Sequence, residues 1–503
     1  MAGEIEHGSR APLGQVFTPA GVAHFIANSV PELPAGASIR LLDPGAGVGS
    51  LAAAAVERLV SRDRVQKIDL VACEIDPALT PHLEATLAEV TEWAASRDAQ
   101  VEWEIREDDY LSGGSLEAAQ SGLALGSFDI AILNPPYRKL GTRSAERQAL
   151  EQLGVRVANL YTAFLAMAAL HLRDGGALAA ITPRSFANGL YHEPFRHFFF
   201  EAARLTRIHL FEARDLVFAD SNVLQENLIF SAVRGADQGD VVVSSSRGPD
   251  DDPIARTVPY SEVVSPDDRH QFLRIPTDDD HTELAEWMVE LPASLGELGL
   301  SVSTGRVVDF RSRESLRAEP GSDAVPLIYP LHLREGSVRW PAEPDGRKPN
   351  ALAATEDTER LIQPNEPYVI VKRFTSKEER RRVSAGVCTP EMVPGSGIAF
   401  ENHLNVFHQD GRGLAIEIAQ GVSVFLNSTL IDDYVRLFNG HTQINATDLR
   451  NLRYPSLAQL RELGERFQAE PRFEQAHIDG LVEAVIGGIS GGTGSIHSLP
   501  RAA

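Results

Sequence analysis

Ile39-Arg40-Leu41-Leu42-Asp43-Pro44-Gly45-Ala46-Gly47-Val48-Gly49-Ser50-Leu51 reads as a short buried strand, a glycine turn and the start of an alanine-rich helix running to about residue 59. Gly45, Gly47 and Gly49 permit positive φ and a close approach of backbone to a ligand. A Gly-x-Gly-x-Gly turn is shared by several nucleotide-binding folds, but no Gly-Lys-Ser/Thr follows, which excludes a Walker-type phosphate loop. Asp43 sits at the strand end, where an anion repels a pyrophosphate but can hold an ammonium or sulfonium compound. Working outward, the apolar run 68–73 ends in Glu74-Ile75-Asp76-Pro77, with Glu74 where a second strand meets a ribose. A third strand at 101–105 is followed by Asp108-Asp109-Tyr110-Leu111, and a fourth, 128–133, by Asn134-Pro135-Pro136-Tyr137. Strands alternating with helical stretches predict an α/β fold, a doubly wound and mostly parallel sheet whose ligands lie at the carboxyl ends of its strands. Every residue singled out falls at such an end.

The Asn134-Pro135-Pro136-Tyr137 loop carries the chemistry in this reading. Two prolines fix φ and remove two amide donors, leaving the neighbouring carbonyls free to accept other bonds. A planar amine bonded to the Asn134 side-chain oxygen and the Pro135 carbonyl would be gripped with its nitrogen lone pair turned toward an electrophile, while Tyr137 offers a face for an aromatic base. The plainer reading is a strand ending in a rigid turn. Upstream, Gly14-Gln15-Val16-Phe17-Thr18-Pro19 leads into a periodic helix, with Thr18 expected as its cap and Pro19 at its first position. Such an N-terminus can seat the carboxylate of an amino-acid-like cofactor.

At 503 residues the chain calls for more than one core, and its 43% hydrophobic and 23% charged residues are ordinary for globular protein. No apolar run approaches the ~20 residues of a membrane span, and the first residues lack a signal pattern, so a cytoplasmic protein is expected. Two cysteines, Cys73 and Cys388, support neither a disulfide framework nor a thiolate metal site, and the histidines lack metal-ligand spacing. A net charge of −23 argues against indiscriminate nucleic-acid affinity, which depends on counterion release by Lys and Arg.

Asp43-Pro44-Gly45-Ala46-Gly47-Val48-Gly49, Glu74, Asp109-Tyr110-Leu111 and Asn134-Pro135-Pro136-Tyr137, in that order and preceded by Gln15-Val16-Phe17-Thr18-Pro19, resemble the motifs of the gamma class of adenine-N6 DNA methyltransferases, the TaqI-like enzymes of restriction-modification systems. The resemblance covers roughly residues 13–235 and implies a class I methyltransferase domain using S-adenosyl-L-methionine (SAM). It implies Asp109 on the cofactor's adenine and Thr18 and Asp43 near its methionine end. Phe17, Gly45, Ala46, Gly47, Ile75, Tyr110 and Asn134 complete the expected cofactor site. In that class an aromatic residue further along the chain stacks on the flipped base opposite the tyrosine. Phe218 matches it by position, with Phe211 as a rival that packing explains better.

The second half lacks strand-helix alternation. Residues 237–280, with serine and aspartate runs, read as a connector of edge strands and connecting loops between domains, 281–485 as a mixed α+β target-recognition domain and 486–503 as a flexible tail, after a catalytic domain at 1–236. Lys372, Arg373, Lys377, Arg380, Arg381 and Arg382 crowd around Phe374 and are expected to meet DNA phosphates across a basic cleft, with a solvated helix as the plainer reading. His441, Thr442 and Gln443 offer groups able to read base edges. These stretches resemble the recognition half of enzymes paired with PstI-like and BsuBI-like nucleases. The expectation is therefore a site-specific, SAM-dependent DNA adenine-N6 methyltransferase acting on double-stranded DNA, with any restriction endonuclease on a separate chain and no metal. Alternatives are methylation of another planar amine, in ribosomal RNA guanine or protein glutamine, or a DNA-binding defence component whose methylation is secondary.

Overall fold

The structure, a computed structural model, describes residues 17–32, 38–113, 123–141, 143–212, 226–318, 321–341, 348–375, 379–439 and 443–487. The chain divides into two compact units, Met1–Asp278 and Asp279–Ala503.

The first unit is built on a nine-stranded sheet. In chain order its elements are α1 (Ala20–Ser29), β1 (Ser38–Asp43), α2 (Ser50–Ser61), β2 (Lys67–Cys73), α3 (Thr80–Ala95), β3 (Gln100–Arg106), β4 (Phe128–Leu133), α4 (Ala145–Gln152), α5 (Leu160–His171), β5 (Leu172–Pro183), α6 (Glu193–Ala202), β6 (Ala203–Phe211), β7 (Asn227–Arg234), β8 (Val241–Ser246) and β9 (Ile254–Val258). The strand order is β3-β2-β1-β4-β5-β7-β6-β8-β9. β3 to β5 are parallel throughout, β7 is antiparallel to both neighbours, and β9 is antiparallel to β8. The central strands are buried on both faces, which is why they read as continuous apolar runs. One face packs beneath α1, α2 and α3 through Val22, Ile26, Leu51, Val56 and Leu83; the other beneath α5 and α6 through Leu165, Met167, Phe195 and Phe199.

Two expectations are corrected here. Residues 237–280, expected as a connector of edge strands and loops between domains, do hold edge strands, but β8 and β9 complete the sheet of the first unit, which runs to Asp278. Their serines are buried and bonded: Ser244 Oγ lies 3.0 Å from His209 Nδ1, and Ser246 Oγ 3.3 Å from His209 Nε2. A polar strand is stable inside when each hydroxyl has a partner. Nor does Thr18 cap α1: Pro19 takes the cap position and no side chain bonds the first turn.

The second unit is mixed α+β, with a six-stranded sheet centred on Leu404–His408 and Tyr368–Lys372, a five-stranded sheet centred on Ala324–Ile328, and a helical group. Helices Ile416–Leu426 and Leu457–Ala469 cross at Gly421 and Gly464, where an added Cβ would meet the Leu460 or Glu417 carbonyl oxygen at 1.8 Å. Glycine is needed there for the two backbones to touch. Residues 488–503, expected as a tail, lie outside the described residues.

Candidate active site

Parallel pairing of β1 with β2 sets Asp43 opposite Ala72, bringing the glycine turn beside Glu74 at the carboxyl ends of both strands. The Gly47 N–H donates to Glu74 Oε2 at 2.9 Å, and the Asp76 N–H to Glu74 Oε1 at 2.8 Å. The Ala46 N–H donates to the Cys73 carbonyl at 2.9 Å, tying the turn to the end of β2. Gly47 and Gly49 take φ of +54° and +89°, so the turn requires glycine at both. Glu74 is buried, and desolvation raises its carboxyl above the ordinary range although the amides it accepts from pull the other way. Asp43 is wholly buried beneath the turn. Desolvation, with the Glu74 charge adding, pushes it up to about 7 against the opposing pull of the Gly45 and Ala52 amides.

The glycine turn and the neighbouring strand ends wall a cavity of about 200 Å³. Pro44, Gly45 and Gly47 come from the turn, Glu74 and Ile75 from the end of β2, Asp108, Asp109 and Tyr110 from beyond β3, and Asn134 and Pro136 from the loop after β4. Phe17 and Phe164 supply aromatic faces, and Ile75 leaves about half its apolar surface open. The wall is acidic and apolar at once.

At its edge Asn134 is fixed from both sides. Its Nδ2 donates to Thr18 Oγ1 at 3.0 Å, and its Oδ1 accepts from the Tyr137 hydroxyl at 3.1 Å. The hydroxyl of Thr18, freed from capping, thus orients the carboxamide across 116 residues of sequence. The Tyr137 ring meets Tyr161 edge-on, centroids 6.2 Å apart at 80°. Tyr161 is held through its hydroxyl to Ser185 at 2.8 Å and His192 at 3.0 Å.

Comparison with known proteins decides the family. The Eco57I restriction-modification methylase model matches residues 74–218. The chain is 40% identical over 475 residues to the type II methyltransferase M.PstI of Providencia stuartii, covering 94% of this chain and 92% of that one. It is 42% identical over 463 residues to the type II methyltransferase M.BsuBI of Bacillus subtilis, covering 91% and 90%. The chain belongs to the type II methyltransferases of restriction-modification systems. Among solved structures it is similar to the type IIL restriction-modification enzyme MmeI in complex with DNA, with a TM-score of 0.52 at 11% identity over 91% of this chain and 71% of that one. The α/β unit of this methyltransferase has the class I SAM-dependent fold, and fold and family imply SAM as methyl donor.

Of the cofactor residues expected from sequence, Phe17, Gly45, Gly47, Glu74, Ile75, Asp109, Tyr110 and Asn134 line the cavity of this methyltransferase. Thr18, Asp43 and Ala46 stand behind that wall. Sequence reasoning missed Phe164, Leu160, Arg138 and Glu146, which also line it. Asn159 signals the start of α5 by capping it, its Oδ1 accepting from the Thr162 N–H at 3.3 Å. The helix is buried nearly all round, so no periodicity tells which residue faces a ligand. Phe218 lies outside the described residues. Phe211 packs against Phe25 and His209, as its strand position suggests.

The basic cluster of the second unit does not form one exposed patch, and this is a correction. Arg382 is fully buried, donating to Thr375 and to Asn439 Oδ1 at 2.6 Å. Arg381 is partly buried and donates to Gln475 and to the Val383 and Ser428 carbonyls at 3.2 Å. Arg373 reaches the Asn402 carbonyl, Gln443 Oε1 and Asn445 Oδ1, each at 3.3 Å. Gln443 is thereby engaged internally. Lys372, half-buried, and Arg380 and Phe374, exposed, remain of the expected contacts. Lys377, His441 and Thr442 lie outside the described residues.

Proposed function

We propose that the chain is a site-specific DNA methyltransferase that moves a methyl group from SAM to the N6 amine of an adenine flipped out of the duplex, the modification arm of a system whose endonuclease is a separate chain. The observation that carries this is the Asn134 carboxamide, fixed between Thr18 and Tyr137 at the rim of an acidic, aromatic-lined cavity. The Asn134 carboxamide oxygen is an acceptor at the rim, to which an incoming amine can donate.

The residues present fit SAM. Carboxylates suit a ligand bearing a cation and ribose hydroxyls and reject a pyrophosphate, while Ile75, Phe17 and Phe164 offer apolar and aromatic surface to an adenine ring. When bound, SAM supplies a methyl group on a good sulfonium leaving group, open to direct displacement. Asn134 and the Pro135 carbonyl hold the amine so that its lone pair is aimed, and Tyr137 supports the base plane, so positioning carries the catalysis. Cys73 also borders the cavity, but burial pushes its thiol up to about 12, leaving no thiolate for the covalent attack that carbon methylation of cytosine requires. Amine methylation needs none. The choice of adenine among planar amines rests on the likeness to the gamma class.

Asn134→Ala should reduce methyl transfer by roughly two orders of magnitude or more while the protein still folds and binds SAM and DNA. Methylation-sensitive sequencing of DNA from expressing cells gives the base and the site. Full activity in the variant, or methyl groups on cytosine or protein, would overturn the proposal.

A further inference from the structure

An acidic enzyme that works on a polyanion must place its free cations with care. The cluster at 372–382 turns two of its arginines inward, which leaves room for phosphate contacts from the catalytic unit as well. Residues 138–140, which directly follow Tyr137, together with the nearby Arg143 are the strongest candidates. The backbone of 138–140 is fixed against the chain entering α5: the Leu160 N–H donates to the Arg138 carbonyl at 2.7 Å, the Leu140 N–H to the Ala158 carbonyl at 3.3 Å, and Lys139 pairs with Asn159 in an antiparallel bridge. Leu140 is buried and anchors the segment in the core, while Arg138, Lys139 and Arg143 point to solvent. None of the three makes an ion pair among the described residues, whereas Arg147, one turn further on, is paired with Glu151 at 3.2 Å. Arg138 also borders the cavity beside Asn134 and Pro136. Among the described residues, these cations without an ion pair stand immediately beside the Asn134–Tyr137 loop.

We infer that Arg138, Lys139 and Arg143 form the phosphate-binding edge of the catalytic unit, gripping the DNA backbone around the nucleotide whose base meets Tyr137. The inference rests on the DNA reading above. A base displaced onto Tyr137 stays bonded to its own sugar and phosphates, which must then pass close to the next residues in the chain. Arg138 and Lys139, fixed there by a buried leucine and three backbone contacts, offset phosphate charge without ordering a loose loop, and Arg143 adds a third positive charge. These contacts carry no sequence information, so they act equally on target and non-target duplexes.

The test is a Lys139→Gln/Arg143→Gln enzyme, assayed by fluorescence anisotropy with labelled duplex across a salt series. Each lost phosphate contact removes about 0.9 from the slope of log affinity against log salt. The double variant should therefore lose nearly two units of slope and on the order of tenfold or more in affinity at low salt, equally on both duplexes, with SAM affinity unchanged by calorimetry. Arg147→Gln, its charge already paired, is the matched control and should keep the wild-type slope. A double variant with the wild-type slope, or an Arg147→Gln enzyme with the same loss, overturns the inference and leaves the proposed function standing. Wild-type protein that binds duplex DNA at no salt concentration overturns the proposed function itself.

Discussion

Asp43→Asn gives the sharpest physical test of the buried acid under the glycine turn. Asp43 is raised from an ordinary 3.8 to about 7, so folding favours its protonated form. The sign follows directly. Between those two values the native state holds a proton that the unfolded chain has released, so stability falls as pH rises. The contribution is intact below the unfolded value near 4 and is spent once pH passes about 7. A displacement of a little over three units, at about 1.4 kcal/mol per unit, amounts to about 4 kcal/mol. Asparagine is neutral at every pH, so the variant should match wild type near pH 4 and exceed it by up to about 4 kcal/mol at pH 8, less whatever the Gly45 and Ala52 amides lose. Glu74 titrates in the same direction, so the informative quantity is the difference between wild type and variant, from denaturant titrations of the SAM-free protein at half-unit steps. The same charge should answer to a bound cation: cofactor binding near pH 6.5 should release more proton from wild type than from Asp43→Asn, measured by calorimetry in buffers of different ionisation heat. Parallel stability curves for the two proteins would refute the argument.

Glu74→Gln removes the charge that the cavity offers to ribose hydroxyls and should weaken SAM ten- to a hundredfold, in line with about 1.5–3 kcal/mol for hydrogen bonds to a charged group; unchanged calorimetric affinity, or binding of NAD instead, would sink the assignment. In the second unit, Arg382→Ala should cost on the order of 2–5 kcal/mol in chemical denaturation by stranding buried Asn439 and Thr375 oxygens, while Arg380→Ala should stay within about 0.5 kcal/mol of wild type. Equal costs would mean that Arg382 is not the buried strut described.

The strand ends of the catalytic unit were legible because parallel strands buried on both faces announce themselves as apolar runs cut off by Asp-Pro-Gly, Glu and Asn-Pro-Pro. What escaped depended on partners far along the chain. Thr18 has a capping residue's sequence context, yet its hydroxyl serves Asn134, since a side-chain donor fixed by another strand outweighs a local cap. Serines 244–246 read as part of the edge strands and loops between domains, but nothing in composition reveals that they are buried against His209. Arginine density at 380–382 has no direction of its own. Buried carbonyls and the Asn439 amide claim Arg382, and sequence carries no sign of that geometry. Phe164 escaped for the opposite reason: a helix apolar on every side points nowhere in particular.

The charges around residues 134–139 explain how one edge can admit two very different ligands. Glu74, Asp108, Asp109 and Glu146 make the cavity acidic, which attracts a sulfonium and turns away phosphate. Asn134, Pro135, Pro136 and Tyr137 carry no net charge, so the rim accepts a neutral base without a Coulombic cost. Arg138 and Lys139 follow at once and are positive. On the function proposed above, a nucleotide would enter base toward the cofactor and phosphate outward, because reversing it would set phosphate against four carboxylates. On that proposal, the sequence of acid, neutral and base along this edge would orient the substrate before any specific hydrogen bond forms. Asn134 then has only the last alignment of the amine to provide, which matches a side chain whose hydrogen bonds to Thr18 and Tyr137 leave it little freedom to turn.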